Sequence, residues 1–181
     1  MANSLEEAKL TDLSIRTGTE ADAEALYQLI TSHAREGHLL PRELEELRRH
    51  AHRFVVCEVG GELKACADLA PLSARVCEVR SLVVSEGFRR VGLAARLVGE
   101  LRRRATAAGF EMLCAFTHDA RFFVRQGFSI VPHLWLPGKI STDCVGCPLF
   151  RKCEQYAMVL PLHAVDLYRP ADAPNRRVAV A

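Results

Sequence analysis

The sequence predicts one α/β domain built on a mixed sheet, and three observations predict it. Strand-like and helix-like stretches follow one another over 13–162 in the order β-α-α-β-β-β-α-β-α-β-β, which suits helices laid on a sheet. The 181 residues, 49% of them hydrophobic, fill one core and leave length for a tail. No internal repeat and no low-complexity tract points to a solenoid or a disordered chain.

Residues 1–12 are polar and read as a flexible N-terminal segment. "LSIRTG" (13–18) reads as the first strand, and Thr19 with Asp22 forms a capping box for the helix behind it. In that helix Ala25, Leu26, Leu29 and Ile30 recur at helical spacing and define a buried face. "EGHLLPR" (36–42) breaks it, and "RELEELRRHAHR" gives a second, charged helix. "FVVCEV" and "ELKACADLA" are strands joined by Gly60-Gly61, a hairpin signal. "CEVRSLVV" (77–84) is a strand, and after a turn at 85–91 "GLAARLVGELRRRATAA" is a helix ended by Gly109. "EMLCAFT" (111–117) reads as a strand, "HDARFFVRQ" as a short helix closed by Gly127, and "FSIVPHLW" and "AMVLPL" as strands flanking a cysteine-containing loop at 136–156. The tail, 163–181, holds two of the eight prolines and reads as extended or disordered.

Composition excludes several classes of function. A net charge of +2 gives no global field for nucleic acid or membrane, and "LRRRA" (101–105) reads as a solvated helix face. No apolar run reaches the roughly 18 residues of a membrane helix. "MANSLEEAKL" lacks the basic start and apolar stretch of a signal peptide, so the expectation is a cytoplasmic protein. Seven cysteines then do not form a disulfide framework. Cys57, Cys66, Cys77 and Cys114 lie in apolar runs and read as small buried hydrophobes.

The turn "GFRRVGLAARLV" (87–98) sets two arginines beside a glycine where a strand ends and a helix begins. Backbone N–H groups and the positive end of the helix dipole make such a place an anion site. Arg89-x-x-Gly92-x-Ala94 resembles the pyrophosphate loop of the GNAT N-acetyltransferases, and "ARFFVRQGF" (120–128) resembles that family's Phe-Tyr-x-x-x-Gly-Phe signature. The resemblance covers about 13–135 and implies a mixed, mostly antiparallel sheet flanked by helices. It implies acetyl-coenzyme A as cosubstrate, held by Arg89, Arg90, Val91, Gly92, Leu93 and Ala94. The backbone of Leu82, Val83 and Val84 would polarise the thioester carbonyl and pair with the pantetheine arm. Within the family, "GHLLPR" (37–42), "CEVRSLVV" and "LPGKISTDCVGCPLFRKCEQYAM" (136–158) are similar to the short, stand-alone N-acetylglutamate synthase type. That likeness implies an amino-acid N-acetyltransferase acting on the α-amine of glutamate in arginine biosynthesis. It also implies that feedback by arginine, through the kinase domain of long forms, is not expected.

Acetyl transfer needs a free amine, hence a proton acceptor. Glu78 stands where many GNAT enzymes carry a glutamate base; the alternative is an exposed strand-end carboxylate. A dicarboxylate acceptor needs cations, best as arginines. Arg42 and Arg80 are the candidates, and Glu78 and Arg80 share one strand face by the period of two. Arg42 has a second reading, as a surface partner of Glu45 and Glu46. The family's usual acidic tyrosine aligns with Phe123, which has no proton to give, leaving Thr117, His118 or water. Cys144, Cys147 and Cys153 in "DCVGCPLFRKC" leave several readings open: a zinc site, with His133, Cys66 or Cys114 as fourth ligand, an iron–sulfur cluster, a redox switch, or plain reduced thiols. Lys139, in the same loop, either adds positive charge to the acceptor pocket or faces solvent. A different amine acceptor and a non-catalytic module that binds the coenzyme or a metal are the alternatives in function, and the resemblance leaves a homodimer open.

Overall fold

The computed structural model describes residues 13–34, 39–147 and 149–163. The expected N-terminal segment 1–12 and all but the first residue of the tail 163–181 lie outside the described residues, as does the "EGH" of the segment 36–42. The described elements are β1 (Leu13–Thr17), α1 (Ala23–Ala34), α2 (Leu44–His50), β2 (Phe54–Val59), β3 (Glu62–Pro71) and β4 (Val76–Val84), then α3 (Leu93–Ala107), β5 (Met112–Thr117), α4 (Ala120–Arg125), β6 (Ser129–Val131) and β7 (Tyr156–Pro161). Their order is the one the sequence predicts. The strands form one sheet in the order β1-β2-β3-β4-β5-β7-β6. Every pairing is antiparallel except β4 with β5.

Both faces of the sheet are covered, which is why β2 reads as an unbroken apolar run. Val55 and Cys57 point to one face and join Leu93, Leu97, Leu101 and Ala105 of α3 and Phe123 of α4. Phe54 and Val56 point to the other face, under Leu26 and Ile30 of α1 and Leu47 of α2. Cys57, Cys66, Cys77 and Cys114 are all fully buried, as their apolar surroundings predict. Replacing Leu97 or Leu101 by alanine would open a cavity costing about 2–5 kcal/mol.

Several local expectations hold. Gly60 and Gly61 have φ of 59° and 77°, the left-handed pair a two-residue hairpin turn requires. The Asp22 carboxylate accepts the Thr19 backbone N–H at 2.7 Å, and the Arg16 fork grips Asp22 at 2.7 Å, tying β1 to the start of α1. Other expectations need correction. The buried face of α1 is Ala23, Leu26 and Ile30, with Leu29 half-buried and Ala25 exposed, because at about 100° per residue Ala25 lies well round the helix from the face that 23, 26 and 30 share. β6 stops at Val131, since Pro132 has no N–H for the ladder and His133–Trp135 wind into a 3-10 turn. The 136–156 segment is partly helical: Pro137–Lys139 make a helical turn that continues as one turn of π-helix, Ile140–Cys144.

Two features of β4 prepare a cleft. Opposite β3 the register slips between the pairs Cys66–Val83 and Asp68–Arg80, and Ser81 takes φ of 47°, so β4 carries a bulge. Against β5, β4 pairs only through Val76–Val79, while β5 runs on to Thr117 beside β7. Past Val79 the two parallel strands therefore part.

Candidate active site

The parting of β4 and β5 opens a cleft of about 680 Å³. Its floor is β4 from Glu78 to Val84, and its far wall is Phe116, Thr117, His118, Phe122 and Phe123. The backbone of residues 80–84 has no strand partner on the β5 side, so those of its polar groups that point away from β3 face the cleft.

At one end lies the arginine turn. Gly92 is the N-cap of α3, has φ of 85°, and no side chain caps the helix. The first helical bond runs from Arg96 N–H to the Gly92 carbonyl at 3.1 Å, so the N–H groups before it have no intrahelical acceptor. Arg90 is also left-handed, with φ of 68°, and Arg89 donates from Nε to the Val84 carbonyl at 3.3 Å. A helix start so arranged suits a phosphate group. Of the expected coenzyme residues, Leu82, Val83, Val84, Arg89 and Ala94 line the cleft. The other four do not: Arg90 and Gly92 are exposed, the Leu93 side chain is core and Val91 packs against the core, leaving these residues only backbone to offer.

At the other end the charges gather. Glu78 is 2% exposed, which rules out the exposed strand-end reading. Lys139 Nζ donates to its two carboxylate oxygens at 2.7 and 3.0 Å and to Asp143 Oδ2 at 2.7 Å, while sitting 5.2 Å from the Phe116 ring centre. Arg80 donates to Asp143 Oδ2 at 3.0 Å, and its Nε lies 3.6 Å from Glu78 Oε2. That Nε is buried without a hydrogen-bond partner among the described residues. Arg42 lines the same cleft and reaches Glu46 at 3.3 Å. Behind Arg80, the Arg53 fork holds buried Asp68 at 3.2 and 3.1 Å.

Burial pushes the Glu78 carboxyl above its ordinary value, against the pull of the Lys139 and Arg80 charges. Burial also acts upward on Asp143, but the hydrogen bond from Lys139 and the nearby cations outweigh it and leave the group below its ordinary value. Burial, helped by the Arg80 charge, lowers Arg42.

Phe123, at the usual tyrosine position, is buried edge-to-face against Phe122 and Phe128, with ring centres 5.0 and 5.1 Å apart. Thr117 and His118 stand nearby on the wall. From the sequence alone Lys139 stands between pocket and solvent, and Asp143 carries no mark of its own. The signal available was Lys139 and Asp143 at i,i+4, one helical turn apart on the loop similar to the synthases.

The zinc expectation is not supported. Cys144 and Cys147 are half-buried and Cys153 is exposed, all as free thiols. No group of three or more His, Cys, Asp or Glu among the described residues is arranged to hold a metal ion. The fourth ligands considered are placed elsewhere: Cys66 and Cys114 are in the sheet core, and the His133 ring lies against Phe116. Among the described residues no helix is long and apolar enough to cross a membrane.

Comparison with known proteins agrees with the fold. The sequence profile of the acetyltransferase (GNAT) family matches residues 20–128. An uncharacterized N-acetyltransferase of Chlorobaculum tepidum, CT2212, is 31% identical over 151 residues, 83% of this chain and 97% of the relative. The amino-acid acetyltransferase of Ectopseudomonas mendocina is 32% identical over 117 residues; the match takes in 64% of this chain and 27% of the relative, so only about a quarter of that longer protein is represented. Among solved structures, N-acetylglutamate synthase from Neisseria gonorrhoeae, complexed with coenzyme A and N-acetyl-glutamate, superposes with a TM-score of 0.75 at 27% identity. That match covers 83% of this chain and 35% of the synthase. Rv2747 from Mycobacterium tuberculosis, solved with CoA, shares the fold with a TM-score of 0.70 at 22% identity over 83% of this chain and 99% of its own. The chain belongs to the GNAT family of N-acetyltransferases, enzymes that transfer acyl groups.

Proposed function

We propose that the protein moves the acetyl group of acetyl-coenzyme A to the α-amine of glutamate, in the cytoplasm, as a step of arginine biosynthesis. The observation that carries this reading is the pairing, at one end of the cleft, of a buried carboxylate, Glu78, with the cations Arg80, Lys139 and Arg42. A base and an anion clamp share one pocket, which is what an amine-bearing dicarboxylate requires. The amino-acid acetyltransferases and the N-acetylglutamate synthase to which the chain is similar support the choice of acceptor.

In this account the pyrophosphate of the coenzyme rests at the start of α3, and the N–H groups within residues 82–84 that point away from β3 take the pantetheine arm and polarise the thioester carbonyl. Arg80 and Arg42 receive the carboxylates of glutamate. Glu78 accepts the ammonium proton, directly or through water, and the freed amine attacks the carbonyl carbon, the nitrogen then shedding its second proton through water to solvent. Breaking the carbon–sulfur bond leaves a thiolate that takes its proton from Thr117, His118 or water, since Phe123 has none to give.

The test is release of free coenzyme A, read with a thiol reagent, over a panel of amino acids and amines. Saturable release with glutamate, and weak release with aspartate and glutamine, is expected. Release with another amine alone would keep the acetyltransferase and discard glutamate.

A further inference from the structure

The charge network around Arg80 and Lys139, which line the cleft, holds one carboxylate more than the proposed transfer uses. Glu78 is the base in that account, Glu46 meets Arg42, and Asp68 meets Arg53. Asp143 is left over, yet one of its oxygens accepts hydrogen bonds from both cations at the centre of the site: Lys139 at 2.7 Å and Arg80 at 3.0 Å. These are the distances of charge-assisted bonds to a carboxylate.

Three further observations single it out. Asp143 rides on the single π-helical turn Ile140–Cys144, a rare geometry that gathers at functional positions. Its side chain is 17% exposed, against 3% for that of Glu78, so it is the carboxylate with a way out. Arg80 is also unsaturated: its buried Nε has no hydrogen-bond partner among the described residues. A carboxylate free to turn would grip that guanidinium with two oxygens, where Asp143 offers it one.

We infer that Asp143 holds the seat of the acceptor's carboxylate, occupying Arg80 and Lys139 until the acceptor displaces it, and that it thereby sets acceptor affinity and specificity. This deepens the proposed function and rests on its dicarboxylate acceptor. With Asp143 in place, Arg80 and Lys139 face Glu78 and Asp143, and the four charges cancel. With Asp143 turned out, Arg80 and Lys139 outnumber Glu78, the carboxylate left to them. A neutral amine brings nothing to make that exchange, whereas an acidic amino acid brings the replacement anion itself. Lys139 then becomes the third cation of the acceptor site, beside Arg42 and Arg80.

The experiment is calorimetric titration of L-glutamate into the coenzyme A-loaded protein, in wild type, Asp143→Asn and Asp143→Glu. Asparagine keeps the shape and removes the competing charge, so glutamate should bind Asp143→Asn about fivefold or more tightly than wild type. Asp143→Glu keeps the charge and should show no gain. Thermal melts check folding, and Asp143→Ser serves in place of any variant that does not fold. Unchanged or weaker binding in the charge-removing variants overturns the inference, because Asp143 would then only orient the cations. Tighter binding in a protein that releases no coenzyme A with glutamate would refute the proposed function and leave this inference standing. Turnover with glutamate at unchanged affinity in Asp143→Asn would do the reverse.

Discussion

Replacing Lys139 with methionine tests the charge network most sharply, because the stem stays and the ammonium goes. In the wild type that ammonium donates to both oxygens of Glu78 and to Asp143, and the Glu78 side chain is 3% exposed. Removing one partner of a buried ion pair costs about 3–5 kcal/mol, because the remaining charge keeps its desolvation penalty. Arg80 stays 3.6 Å from Glu78 and 3.0 Å from Asp143, which places the expected loss at the low end, about 3 kcal/mol. At roughly 2–4 °C per kcal/mol for a chain of this size, the melting temperature should fall by about 6–12 °C near neutral pH. The pH dependence gives the sign. Burial already raises the Glu78 carboxyl, and Lys139 opposes it; without Lys139 the group rises further. A carboxyl whose folded-state pKa is raised gives stability that is present in acid and lost as pH rises through that pKa. The deficit of Lys139→Met should therefore be small in acid and grow toward neutral pH. Calorimetric melts of both proteins across that range provide the assay. A deficit of equal size at every pH, or none at all, would refute the reasoning.

Other consequences of the site are open to measurement. Arg80→Ala removes the better placed of the two arginines and should raise the Michaelis constant for glutamate about 10- to 100-fold, leaving that for acetyl-coenzyme A unchanged; a change confined to the coenzyme would show that the arginine serves the donor. Arg42→Ala should act in the same direction but less, since Glu46 already shares its guanidinium. Gly92→Ala meets no atom within 4 Å but must hold φ near 85°, so only backbone strain is added. It should cost about 1–2 kcal/mol of stability and weaken acetyl-coenzyme A without touching the glutamate constant; an unchanged coenzyme constant would detach this turn from donor binding.

The parts of this molecule that sequence reveals are those set by local periodicity. An apolar run marks β2, alternating apolar residues mark β3 and β4, and Gly60-Gly61 marks their first turn, because side-chain period and left-handed φ are properties of short segments. The shared face of Glu78 and Arg80 is legible for the same reason. Short-range rules fail where the chain departs from regular geometry. The bulge at Ser81 carries no composition signal, yet with the short pairing to β5 it opens the cleft. Pro132 in "FSIVPHLW" is the local signal that ends this strand at Val131. Lys139 and Asp143 illustrate a different limit. They meet Glu78 and Arg80 across more than sixty residues of chain, and only the packing of the 137–144 helical segment against Phe116 and β4 decides that the lysine turns inward.

The central claim is that Glu78 removes the proton from the acceptor amine, and the most direct measurement is the pH–rate profile of coenzyme A release with L-glutamate for wild type and Glu78→Gln. The account predicts a wild-type rate that falls in acid as the raised Glu78 carboxyl takes its proton, above its ordinary value of 4.5. In Glu78→Gln it predicts a rate lower by about 10²–10⁴-fold, with that acid limb gone. A glutamine variant that keeps the wild-type rate and the wild-type acid limb would contradict it.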